Sequence, residues 1–130
     1  MPSFEPLSYR ILGAAFRTHN ALGPGHLENV YQNALAILLQ REGMNVRSEV
    51  RLVVHFEGRP VGHCEADLIV DDQIVVETKA KDAILPAHEA RLGAYLRCSG
   101  YQVGVVLNFG PVRVDIRRVD RTREEKKRSG

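Results

Sequence analysis

Asp67 and the run Glu77-Thr78-Lys79 are the residues of this chain whose types and spacing best suit chemistry. They lie in two consecutive stretches rich in valine and isoleucine, where side chains alternate between faces. Alternation puts Val61, His63, Glu65, Asp67 and Ile69 on one face of the first stretch, and Val75, Glu77 and Lys79 on one face of the second. Three acids and a lysine are odd cargo for a core. Unpaired buried carboxylates are costly, and the usual escape is pairing or metal coordination. Two carboxylates held together repel, which favours a divalent cation between them. Oxygen donors without thiolates or a histidine cluster suit Mg²⁺, with Mn²⁺ as a substitute. The competing reading is a wet sheet face whose charges form surface pairs, since alternating sheets commonly have one. A D…ExK spacing alone does not decide between the two.

The elements around these residues follow from periodicity. Leu7, Ile11, Ala14, Ala15 and Leu22 recur at helical spacing and predict a helix over residues 5–21, broken by Gly23-Pro24-Gly25. Leu27, Val30, Tyr31, Ala34, Leu35 and Leu38 restart the pattern, with Gly43 as its stop. Segments 46–56, 60–70 and 73–80 read as three antiparallel strands separated by Glu57-Gly58-Arg59 and Asp71-Asp72. Pro86 opens a third helix that runs to about Cys98, and Gly100 ends it. Residues 102–109 form a near-continuous apolar run, the mark of a strand covered on both faces. Val112, Val114 and Ile116 predict a final edge strand.

The order is ααβββαββ, an α+β (α/β) fold with one mixed sheet of about five strands flanked by helices. The unit 73–109 is expected to cross over right-handedly. Hairpin register decides whether the acids meet. A two-residue turn at Asp71-Asp72 would set Asp67 against Val76, whereas a three-residue loop, Asp71-Asp72-Gln73, sets Asp67 against Glu77 on one face. The proposed chemistry requires the odd-length loop or a bulge of the same parity.

Bulk properties set outer limits. With 130 residues, 44% hydrophobic and 26% charged, the chain fits one globular domain. We expect that domain over residues 1–118 and a basic, flexible tail over 119–130. A formal net charge of +2 does not announce a nucleic-acid partner. From Arg113 onward, eight basic residues face four acidic ones, a pattern that suits phosphate and equally a solvated terminus. Cys64 and Cys98 have no zinc or CxxC spacing and read as free thiols. No apolar run reaches the roughly 18–20 residues of a membrane span, so no membrane partner is expected and cytoplasm is the default.

The segment Gly25-His26-Leu27-Glu28-Asn29-Val30-Tyr31 resembles the signature of the GxxExxY family, small proteins assigned to the PD-(D/E)XK nuclease superfamily. The likeness extends from His19-Asn20-Ala21-Leu22-Gly23-Pro24 through Ala66-Asp67-Leu68 and Val76-Glu77-Thr78-Lys79-Ala80. It continues to His88-Glu89-Ala90 and Val105-Val106-Leu107-Asn108-Phe109-Gly110, covering roughly residues 7–118. The order and spacing of these motifs carry it, because none is specific alone.

This resemblance implies a restriction-endonuclease-like fold and hydrolysis of phosphodiester bonds in nucleic acid, DNA ahead of RNA. By position it assigns metal binding to Asp67 and Glu77 and assistance of the attacking water to Lys79. Glu28 from the helical hairpin completes the metal set, with the Thr78 carbonyl as a further ligand. Glu28 also suits a helix N-terminus on its own account, since the dipole there favours a carboxylate. Relatives often carry Gln where this chain has Arg91, while Tyr95, four residues on, is retained. Arg brings fixed charge and a planar fork suited to phosphate. Arg91, Tyr95 and His88 therefore form the expected substrate side, and His26 is equally at home capping or packing.

Arg91 also keeps alive a second reading, an inactive nucleic-acid- or protein-binding module of the same fold. A carboxylate-pair glycosidase is a third, against which the adjacent lysine and the resemblance both argue. A domain this small covers few base pairs, which makes a homodimer a natural arrangement, though no interface is legible in the sequence.

Overall fold

The computed structural model describes residues 4–121. Helices α1 (Glu5–Leu22) and α2 (Glu28–Arg41) lead into strands β1 (Val46–Phe56), β2 (Arg59–Val70) and β3 (Ile74–Lys79). Helix α3 (Pro86–Ser99) and strands β4 (Val103–Phe109) and β5 (Val114–Asp120) follow. The sheet runs β1-β2-β3-β4-β5, antiparallel throughout except for the parallel β3–β4 pair that α3 connects. This is the expected ααβββαββ order. Of the expected tail, Val119 and Asp120 belong to β5 and residues 122–130 lie outside the described residues; no described helix is long and apolar enough to cross a membrane.

Two apolar layers sandwich the sheet. Leu68, Val70, Ile74, Val76, Val105 and Leu107 pack under α1 and α2, against Ile11, Ala15, Tyr31 and Leu35. Ile69, Val75, Val106 and Val119 pack under α3, against Leu92, Tyr95 and Leu96. Opposite parities on neighbouring residues show why β4, buried along its whole length, reads as continuous apolar sequence. Gly104 of β4 has a packing reason: a Cβ there would meet Leu92 Cδ1 at 2.7 Å, so glycine lets α3 seat on the sheet.

The β2–β3 connection has the odd length that the chemistry requires. Val70 pairs with Ile74, Ile69 with Val75 and Leu68 with Val76, a register that sets Asp67 opposite Glu77. Asp71 and Asp72 both take positive φ, at 52° and 53°, and Gln73 N–H closes the turn on Val70 O at 3.0 Å. Aspartate tolerates this conformation better than most residues.

Two expectations need correction. The last strand begins at Val114 and not at Val112, which is 85% exposed. Gly110 N–H bonds to Arg113 O at 3.1 Å, and the turn it closes takes up residues that alternation had assigned to the strand. The expected face of Val61, His63, Glu65, Asp67 and Ile69 also splits. Ala66 and Cys64 pack toward α3 together with Ile69, leaving Glu65 exposed. The neighbouring strand is irregular at the same place. Ser48 pairs with Leu68 and Val50 with Ala66, but Glu49 takes φ 53° and the Glu49–Asp67 pair is missing. Beside this missing pair the side-chain alternation of β2 slips at Asp67, since Ala66 and Ile69 face the same layer.

Candidate active site

Asp67 is half-buried where the β2 alternation slips, just beyond the last ladder pair with β3. Its Oδ2 accepts the Thr78 N–H at 2.8 Å and the Thr78 hydroxyl at 2.9 Å. The carboxylate thereby stands in for the strand pairing that ends there. Glu77 is 8% exposed, and its Oε1 accepts the Asp67 N–H at 3.2 Å. The two acids are thus locked to each other's backbone neighbourhood, and Lys79, two residues beyond Glu77, shares its strand face.

Electrostatics follow from burial. Desolvation pushes the Glu77 carboxyl up to about 8, and the neighbouring Asp67 charge pushes the same way. The Asp67 N–H, Lys79 and Arg91 oppose the shift. Asp67 is also raised, first by burial and last by Glu28, while its bonds to Thr78 and the Lys79 charge hold it down. Glu28, Asp67, Glu77, Lys79 and Arg91, drawn from α2, β2, β3 and α3, therefore form one electrostatic group.

The GxxExxY segment explains itself as a positioning device. Gly25 takes φ 96°, which side chains rarely adopt, and turns the chain into α2 so that Glu28 opens the helix. Tyr31 is fully buried, its ring stacked on Phe109 at 4.6 Å. Its hydroxyl donates to Gly23 O at 2.6 Å and accepts His26 N–H at 3.2 Å, which ties the turn to the core. His26 Nε2 lies 2.9 Å from Leu22 O, and buried His19 lies 2.8 Å from Gly110 O, both structural roles.

On α3, Arg91 Nε donates to Tyr95 Oη at 2.7 Å, with the guanidinium 5.8 Å from the Tyr95 ring centroid. Burial raises the Tyr95 phenol, and the Arg91 contact counteracts it. His88 accepts the Leu85 N–H on Nδ1 at 3.0 Å, so one ring nitrogen caps α3. Cys64 and Cys98 are free thiols, and burial pushes the Cys64 thiol up to about 11.

Three polar contacts are not legible in the sequence. Buried Gln32 donates to Asp67 O at 3.2 Å, one helical turn beyond Glu28, a spacing that placed it on the same face. The Thr78 hydroxyl was invisible behind the motif. Asn108, buried in an apolar run, was a signal in itself, since buried amides need partners.

The donor set suits a hard divalent cation: carboxylate oxygens, one of them in a desolvated site that disfavours its unaccompanied charge. Among the described residues, however, no three His, Cys, Asp or Glu side chains are gathered closely enough to hold one ion. Glu28 Oε1 instead stands 4.0 Å from Lys81 Nζ.

A mixed five-stranded sheet between helices, with an acid–acid–lysine cluster where β2 and β3 part, defines a restriction-endonuclease-like fold. The chain belongs to the PD-(D/E)XK nuclease superfamily, whose sequence profile matches residues 5–119. No curated protein matches the sequence. Among solved structures it is similar to SSO0001 at 21% identity and TM-score 0.60, over 71% of this chain and 48% of that one. The chain thus spans about half the length of SSO0001. It is also similar to the alkaline exonuclease LHK-Exo from Laribacter hongkongensis, at 15% identity and TM-score 0.56, covering 98% of this chain and 75% of that one. The same enzyme in complex with dAMP gives 15% identity and TM-score 0.55, over 94% and 72%.

Proposed function

We propose that this protein is a metal-dependent nuclease of the GxxExxY type that hydrolyses phosphodiester bonds in nucleic acid, DNA ahead of RNA. The observation that carries the reading is the opposition of Asp67 and buried Glu77 beside Lys79. A neighbour of the same fold is an exonuclease described with dAMP, which supports a nucleic-acid substrate.

In this reading Asp67, Glu77 and Glu28 hold Mg²⁺, or Mn²⁺ in its place, with the Thr78 carbonyl as a further ligand. When bound, the cation polarises the phosphate and lowers the pKa of water. The chain's own residues supply the rest. Gln32 and Thr78 fix Asp67, Lys79 orients the attacking water and stabilises charge developing on the phosphoryl oxygens, and Arg91 holds a phosphate of the substrate. Tyr95 aims Arg91 through their hydrogen bond, and His88 lies on the same helix.

The test is cleavage of DNA and RNA with Mg²⁺ or Mn²⁺, run beside Asp67→Asn. Asparagine keeps an oxygen for Thr78 but removes the charge, so fold is preserved and cleavage is expected to fall by at least about 100-fold. A wild type inert on every nucleic acid tried would remove the reading. Arg91 in place of the glutamine of relatives favours the second reading, a binding module of the same fold. Nucleic-acid binding without cleavage is its signature.

A further inference from the structure

The segment after β3 carries a lysine whose backbone is held from the core. Asn108 of β4 is fully buried, and both ends of its amide serve one residue. Its Oδ1 accepts the Lys81 N–H at 2.9 Å and its Nδ2 donates to the Lys81 carbonyl at 2.9 Å. A buried amide is costly unless satisfied, and here its satisfaction fixes a single position just beyond the Glu77-Thr78-Lys79 run. The Lys81 side chain, by contrast, is 59% exposed, with its ammonium 4.0 Å from Glu28 Oε1. Two hollows of about 340 and 400 Å³ meet at Lys81, and both also touch His26 and Ala80. One of them is lined by Glu28 itself.

We propose that Lys81 is a substrate-positioning residue with two successive partners. In the free protein its ammonium neutralises Glu28. With a divalent cation seated among the carboxylates and nucleic acid bound, it moves to a phosphodiester oxygen of the strand lying in these hollows. This inference rests on the nuclease reading. Glu28 carries a charge like that of Asp67 and opposes it, and a cation beside Glu28 relieves that repulsion until a metal does so. The exposed Lys81–Glu28 pair is weak, so the exchange costs little. A lysine suits the task because its point charge rides on a flexible stem, and Asn108 limits the arc that the stem can sweep.

The two partners make the two readouts of one variant move in opposite directions. Lys81→Ala is expected to bind Mn²⁺ at least as tightly as wild type in calorimetry without nucleic acid, because a competing cation is gone. Its binding to a short DNA duplex in Ca²⁺ is expected to weaken, with the slope of log affinity against log salt smaller by about 0.9, as for one lost phosphate contact. Lys81→Arg should keep the wild-type slope. General damage to the fold would weaken both readouts together. Wild-type DNA binding with an unchanged slope in Lys81→Ala, or weaker Mn²⁺ binding in that variant, overturns the inference alone. A wild type that binds no nucleic acid overturns the nuclease reading and this inference with it.

Discussion

Glu77 concentrates the physics of the site in one residue. Its carboxyl rises from 4.5 to about 8 on burial, so the folded chain binds a proton there that the unfolded chain has already lost. With the folded state holding more protons, metal-free stability falls as pH rises between about 4.5 and 8. Glu77→Gln keeps the shape without the charge. It is expected to flatten that slope and to leave the metal-free protein more stable than wild type at pH 8, by urea titration. Equal slopes for the two proteins would show that Glu77 is not desolvated as described. Asp67 adds to the same trend, since its shift has the same sign. Below pH 8, loading a cation must also expel the Glu77 proton, so Mn²⁺ affinity is expected to climb with pH over that window.

At the scale of elements, the site depends on how α3 sits on the sheet, because that helix brings Arg91 and Tyr95 toward Glu77. Leu92 enters the gap left by Gly104, where an added Cβ would lie within 2.9 Å of its Cγ and both Cδ atoms. Gly104→Ala is therefore expected to destabilise the fold by about 1–3 kcal/mol, as overpacking does. Adding Leu92→Ala should recover part of the loss, a coupling that a double-mutant cycle of urea midpoints would detect. Additive losses would mean that the contact is relaxed elsewhere. The helical hairpin contributes differently: Tyr31 braces the Gly23–Gly25 turn from within the core, so Glu28 stands on a rigid element.

For the molecule as a whole, desolvating the Asp67 and Glu77 carboxylates is a cost that the proposed cation would offset. In the proposed metal-dependent reading Mn²⁺ would bind the folded chain in preference to the unfolded one, so at 100 times its dissociation constant it should add about 2.7 kcal/mol, roughly 10 °C in Tm for this size. Glu77→Ala should abolish that increment in a thermal melt at pH 8. A Tm in the wild type that ignores Mn²⁺ and Mg²⁺ would deny the metal site.

Sequence by itself determined the element order and the acid–acid–lysine grouping, while the odd-length β2–β3 loop followed only from requiring the two acids to meet. The first two rest on local patterns, helical and strand periodicity with Gly and Pro punctuation, whereas the loop parity is the one that sets Asp67 against Glu77. Tertiary structure alone decided the rest. The slip at Asp67 coincides with a missing pair to Glu49 on the neighbouring strand, which no reading of β2 by itself finds, and Glu65 leaves the expected face with it. The Val112 turn closes through Gly110 and Arg113, where alternation cannot say which residue begins pairing. Gln32 bonds across 35 residues to Asp67 and Asn108 across 27 to Lys81. Such contacts depend on where layers meet, and nothing in the spacing of either partner encodes the distance between helix and sheet.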